Sequence, residues 1–92
     1  MKISLEESFV RDCRKLSLQQ SGAVFEVILR LRSTLANAGS HEGAGLRKLH
    51  PTGLWEVRVG LSLRAIFRMS KNEVLFTMVG SHDDVNRYLR SL

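Results

Sequence analysis

Ninety-two residues, 43% hydrophobic and 25% charged, fit one globular domain over residues 1–92 with a core of moderate size. A single cysteine, Cys13, excludes an intramolecular disulfide and a cysteine-rich zinc site. No apolar run approaches a membrane span, the opening MKISLEESF lacks a signal-peptide core, and a reducing cytoplasm is the expected compartment.

Fourteen Lys and Arg against nine Asp and Glu give a net charge of +5, and ten of the fourteen cations are arginine. The planar guanidinium fork suits phosphate better than a lysine point charge does. The excess points to a polyanionic partner, either nucleic acid or an acidic protein.

Met1 to Leu5 reads as a short edge strand, with Ile3 and Leu5 on one face. Ser4 and Glu7 have the spacing of a capping box, which predicts a helix from about Glu6 to Leu16. Phe9, Cys13 and Leu16 share one face of it, so Cys13 is a small core residue with no base beside it to activate the thiol. Ser17 and Gln20 repeat the capping pattern and start a second helix that runs to about Ala38, with Gly39 as its C′ residue. Val24, Ile28, Leu31 and Leu35 form its buried stripe, and Glu26 with Arg30 is a supportive i, i+4 pair. Arg30 and Arg32 lie off that stripe, on a solvated face or in contact with RNA.

Gly39 to Gly53 reads as a loop with four glycines, the only proline and a basic segment at Arg47, Lys48 and His50. Leu46 and Leu49 pin it to the core. Its glycine spacing matches no phosphate-binding loop, and His41 and His50 stand outside any metal-ligand spacing.

From Leu54 to His82 the pattern changes to three strands. LWEVRV and LRAIFRM alternate apolar and polar residues, as half-buried strands do, whereas EVLFTMV is apolar on both faces and is covered on both sides. Gly60, Leu61 and Ser62 make the turn between the first two. Symmetry about Leu61 places Arg58 opposite Arg64 and Glu56 opposite Ile66. Directly opposed like charges destabilise a sheet. Two readings fit: an anionic ligand offsets the repulsion, or both arginines splay into water with Glu56 as their counter-ion. In the last segment, GSHDDVNRYLRSL, Ser81 and Asp84 start a short helix with Val85, Tyr88 and Leu89 on one side. His82 is either a plain first-turn residue or the titratable group of a site beside Arg58 and Arg64. The expected fold is α+β: an N-terminal helical hairpin packed on an antiparallel sheet of three to four strands, then a short C-terminal helix.

LRKLHPTGLWEVRVGLSLRAIFR followed by VLFTMVGSHDDV resembles the RelE/ParE superfamily of toxins from toxin–antitoxin pairs, over roughly Leu46 to Tyr88. The resemblance implies a RelE-like fold, a cognate antitoxin as partner, operator DNA contacted indirectly through that antitoxin, and no membrane. Two activities occur in the superfamily: RelE-like members cut mRNA in the ribosomal A site, and ParE-like members inhibit DNA gyrase. A member that has lost activity and only binds antitoxin is a third possibility. The nuclease reading implies Arg64, Arg58, Glu56, His82 and Tyr88 as catalytic residues and Arg47, Lys48 and Arg68 as RNA-binding ones, with no metal or cofactor. Arg64 matches the family's arginine at the scissile phosphate, His82 the position after the last strand, and Tyr88 lies near its C-terminal tyrosine. Leu63, Asn86 and Glu56 depart from the pattern, where an aromatic, a tyrosine and a lysine are common.

Overall fold

The computed structural model describes residues 1–36 and 45–92. In chain order its elements are β1 (Lys2–Leu5), α1 (Glu7–Arg14), α2 (Leu18–Ala36), β2 (Leu46–His50), β3 (Leu54–Val59), β4 (Leu63–Met69), β5 (Glu73–Gly80) and α3 (His82–Arg90). The strands form one sheet in the order β1-β5-β4-β3-β2. All neighbours are antiparallel except β1, which runs parallel to β5. The α+β class and the helix and strand order match the expectation, but the sheet has five strands and is mixed. Residues 46–50, expected as loop, pair with β3 instead. The expected cap at Gly39 and the loop residue His41 lie outside the described residues.

Alternation sorts the side chains to two faces. Val57, Val59, Leu63, Ala65, Phe67, Val74, Phe76 and Val79 meet Phe9 of α1 and Val24, Val27, Ile28 and Leu31 of α2 in the larger core. Phe9, Phe67 and Phe76 are fully buried, with Phe76 at 5.3 Å between ring centroids from each of the other two. Trp55 is half-buried at the margin. On the opposite face Leu54, Ile66 and Met78 pack against Val85, Tyr88 and Leu89 of α3. β5 is therefore covered on both faces, which is why its sequence does not alternate.

β1 covers only Glu73–Phe76 of β5. Beyond it, residues just before and within α1 satisfy the free edge. The Glu6 N–H donates to the Phe76 carbonyl at 2.9 Å, the Ser8 hydroxyl to the Thr77 carbonyl at 2.7 Å, and the Val79 N–H to the Asp12 carboxylate at 3.2 Å. The expected Ser4–Glu7 capping box does not form: Ser4, held in β1, donates its hydroxyl to Glu73. The second box does form, with Ser17 and Gln20 each bonding the other's backbone N–H. Cys13 is half-buried, and burial followed by the nearby Asp12 charge pushes its thiol up.

A bulge in β5 inserts Thr77 between the pairs Phe67–Phe76 and Ile66–Met78. The buried Thr77 hydroxyl donates to the Ile66 carbonyl at 3.4 Å and accepts from the Tyr88 hydroxyl at 3.1 Å, which ties α3 to the sheet. α3 opens with a full capping box: Asp84 N–H to Ser81 Oγ at 3.1 Å and Ser81 N–H to Asp84 Oδ2 at 2.9 Å. The Ser81 backbone N–H, then its hydroxyl, hold the Asp84 carboxyl below its ordinary value. Gly80 is required by this close approach, because a Cβ there would lie 2.7 Å from the Asp84 side chain.

The packing and the cap are each open to measurement. Phe76→Ala should cost about 3–5 kcal/mol, read as a lower urea midpoint with an unchanged denaturant slope. Asp84 has a lowered folded pKa, so its contribution is present above the ordinary carboxylate pKa and is lost as pH falls through the folded value. Asp84→Asn should therefore lower the melting temperature at neutral pH, and the gap to the unsubstituted protein should close in acid.

Candidate functional site

The β3–β4 hairpin builds the site. Its observed register pairs Val59 with Leu63, Arg58 with Arg64, Val57 with Ala65 and Glu56 with Ile66. Because Val57, Val59 and Ala65 face the larger core, Glu56, Arg58 and Arg64 project from the other face. β2 adds Arg47 directly opposite Glu56. α3 covers Ile66 and Met78 of that face, and the arginine end forms a separate open pocket.

Glu56 is buried at 6% exposure, and its two carboxylate oxygens are divided between two arginines. Oε2 lies 3.3 Å from Arg47 Nε and Oε1 lies 3.6 Å from Arg64 Nε. The Arg64 side chain is half-buried at 24% exposure and also donates to the Leu63 carbonyl at 3.3 Å. Arg58 is exposed, and no carboxylate pairs with it among the described residues. The opposed arginines are thus treated unequally among the described residues: Arg64 has a carboxylate partner there and Arg58 has none. The four side chains, with Gly45 and Leu46, line a pocket of about 380 Å³, within the roughly 300–1,000 Å³ of small-ligand sites. Among the described residues that line it, three arginines stand against one carboxylate, two positive charges in excess. Gly45 forms one wall at a positive φ of 74°, its carbonyl accepting from the Arg58 N–H at 3.1 Å. A Cβ at Gly45 would sit 3.3 Å from Arg58 Cβ.

The other residues expected from the sequence are spread more widely. β4 and β5 pair Arg64 with Gly80, so His82, exposed at the first position of α3, follows Arg64's partner by two residues. It is not among the residues lining the arginine pocket. Tyr88 packs against Leu54, Ile66, Met78 and Val85, gives its hydroxyl to Thr77, and lines a different cleft with Asp12, Lys15 and Arg87. Lys48 pairs with Trp55 and shares its face of the sheet, opposite to the arginine pocket. Arg68 is on the pocket's face but at the far end of β4, roughly 13 Å along the strand from Arg64. There it lines a second groove with Leu49, His50, Leu54, Leu89 and Leu92. The Arg47–Glu56 pair depends on β2, in a segment whose glycines and proline suggest a loop. The local cue for the strand is confined to Leu46 and Arg47, one directed to each face, directly before β3. Among the described residues no group of three His, Cys, Asp or Glu is placed to hold a metal ion.

The chain matches no family model and no curated protein at a significant level. Its fold, however, is that of solved toxins. A copper-bound mutant toxin from Helicobacter pylori superposes with a TM-score of 0.72 at 22% identity, covering 92% of this chain and 98% of that one. RelE in the RelB–RelE antitoxin–toxin complex from Methanococcus jannaschii gives 0.72 at 13% identity, covering 92% and 96%. A YoeB/ParE toxin from Agrobacterium tumefaciens gives 0.69 at 18% identity, covering 89% and 99%. The chain therefore has the RelE-type fold.

The charge balance of the pocket can be read directly. Glu56→Gln removes the negative charge held among the three arginines. Affinity for a single-stranded RNA oligonucleotide should rise, and the slope of log K against log salt should steepen by up to about 0.7. Fluorescence anisotropy over a salt series measures both.

Proposed function

We propose that this chain is the toxin of a toxin–antitoxin pair and that it cuts mRNA on the ribosome, with the arginine pocket as its active site. The observation that carries the reading is the Glu56 carboxylate held between Arg47 and Arg64 beside the exposed Arg58. A proton acceptor and an excess of guanidinium charge converge in one nucleotide-sized pocket, which is what transesterification at a phosphodiester requires. The RelE-type fold supports the same reading, and the RelB–RelE pairing of one neighbour supports a cognate antitoxin as partner.

In this mechanism a ribose 2′-OH attacks the adjacent phosphorus and its proton passes to the Glu56 carboxylate. Arg58 and Arg64 stabilise the charge that develops on the non-bridging oxygens, and their forks suit a phosphate better than single-point cations would. The 5′-oxygen departs with a proton from His82, leaving a 2′,3′-cyclic phosphate and a 5′-hydroxyl. Arg47 holds Glu56 in place. Tyr88, with its hydroxyl committed to Thr77, anchors α3. Arg68 lies on the same face for contact with the RNA strand farther from the scissile bond.

Primer extension on an mRNA in a bacterial translation extract, with and without ribosomes, tests the proposal. New 5′ ends are expected only when ribosomes translate. Arg64→Ala should lower cleavage about 10²–10³-fold while the circular dichroism spectrum is kept, because Glu56 retains Arg47 as a partner. Full cleavage by Arg64→Ala would remove this residue from the chemistry. Intact mRNA in cells that still arrest would turn attention to gyrase, through a supercoiling assay.

A further inference from the structure

Arg58 and Arg64 are cross-strand partners, yet different groups orient them. Arg64 is drawn to Glu56 Oε1 and to the Leu63 carbonyl. On the β2 side of β3, the neighbour of Arg58 is Gly45. Leu46 pairs with Val57, so the residue before it falls opposite Arg58, and its carbonyl accepts from the Arg58 N–H at 3.1 Å. Leu46 packs on the larger core, which puts position 45 on the pocket face with Arg58. In a regular antiparallel pair two Cβ atoms on one face stand about 4.5–5.5 Å apart. A Cβ at Gly45 would lie 3.3 Å from Arg58 Cβ and 3.8 Å from Arg58 Nε. The positive φ of 74° turns that position onto the arginine. The Arg58 stem therefore runs past the bare Cα of Gly45.

We infer that Gly45 is a positioning residue for Arg58: the missing side chain is the seat in which the Arg58 stem lies, and it keeps this guanidinium apart from that of Arg64. Like charges directly opposed on one face of a sheet repel. Arg64 is already fixed by Glu56, so Arg58 is the one displaced, and position 45 is on the side away from Arg64. The two guanidinium groups then reach an anion from different directions, as a clamp on phosphate oxygens needs. A side chain at position 45 would push the stem back toward Arg64 or out into water, and either breaks the clamp. The left-handed φ disfavours a Cβ as well, so two separate constraints converge on glycine here. The inference rests on the arginine pocket as an RNA site, and not on the cleavage step.

Binding of a single-stranded RNA oligonucleotide, followed by fluorescence anisotropy over a salt series, reads the seat. Arg58→Ala should lower affinity roughly tenfold and flatten the slope of log K against log salt by about 0.7, the loss of one phosphate contact. Gly45→Ala should reproduce most of both changes although every arginine is still present. Gly45→Asn separates the two constraints, because asparagine tolerates a positive φ but brings the same Cβ. It should melt above Gly45→Ala and bind as weakly. In the Arg58→Ala background, Gly45→Ala should leave affinity and slope where they are, while its cost in melting temperature persists. Affinity restored by Gly45→Asn, or losses that add in the double variant, would make Gly45 a merely structural glycine and overturn the proposal. An oligonucleotide that binds the unsubstituted protein no more tightly than it binds Arg58→Ala would overturn it too. Cleavage on the ribosome is read separately: if mRNA stays intact while the binding pattern holds, the nuclease reading fails and the role of Gly45 stands.

Discussion

The pairing of β3 with β4 is the constraint on which the rest depends. A three-residue turn sets Val59 against Leu63, and every contact along the hairpin follows from that choice. A slip of one residue would carry Val57, Val59 and Ala65 out of the core and turn the arginines into it. Burial of those apolar side chains against α1 and α2 holds the register, and the register holds Arg58 and Arg64 side by side. The energy that keeps two like charges adjacent comes from the opposite face of the same strands.

The outward face is divided. α3 covers Ile66 and Met78, and its position is fixed by three local features acting together: the capping box of Ser81 and Asp84, the close approach at Gly80, and the hydroxyl relay from Tyr88 through the bulged Thr77 to the Ile66 carbonyl. The arginine end keeps its own opening. Glu56 makes the cluster tolerable when nothing is bound, because a buried carboxylate between two guanidinium groups offsets their mutual repulsion.

Much of this is legible in the residues, and the misses have local causes. The hairpin register, the doubly covered β5 and the helix start at Ser81 follow from alternation and capping chemistry. β2 is hidden because its leucines are three apart and face different cores, while the charged Lys48 shares the face of Leu46, so apolar and polar residues do not alternate. The parallel pairing of β1 joins residues about seventy positions apart and leaves no local trace. That pairing also diverts Ser4 from its expected cap. Arg58, Arg64 and Glu56 are legible as a cluster; Arg47 as the second clamp on Glu56 requires β2.

The parallel strand at the sheet's edge also sets an order of events during synthesis. β1 is made first, yet its partner begins at Glu73. The segment bearing all three pocket arginines is complete before β5 exists, and the side that packs on α1 gains its central Phe76 only then. Closing so long a loop is entropically costly and is compensated only when the last strand arrives. A nascent chain therefore carries its hairpin as an unsupported ribbon, marginal by itself, until β5 has left the ribosome. Consolidation of the sheet by β5 thus delays an ordered arginine pocket until that strand has been made.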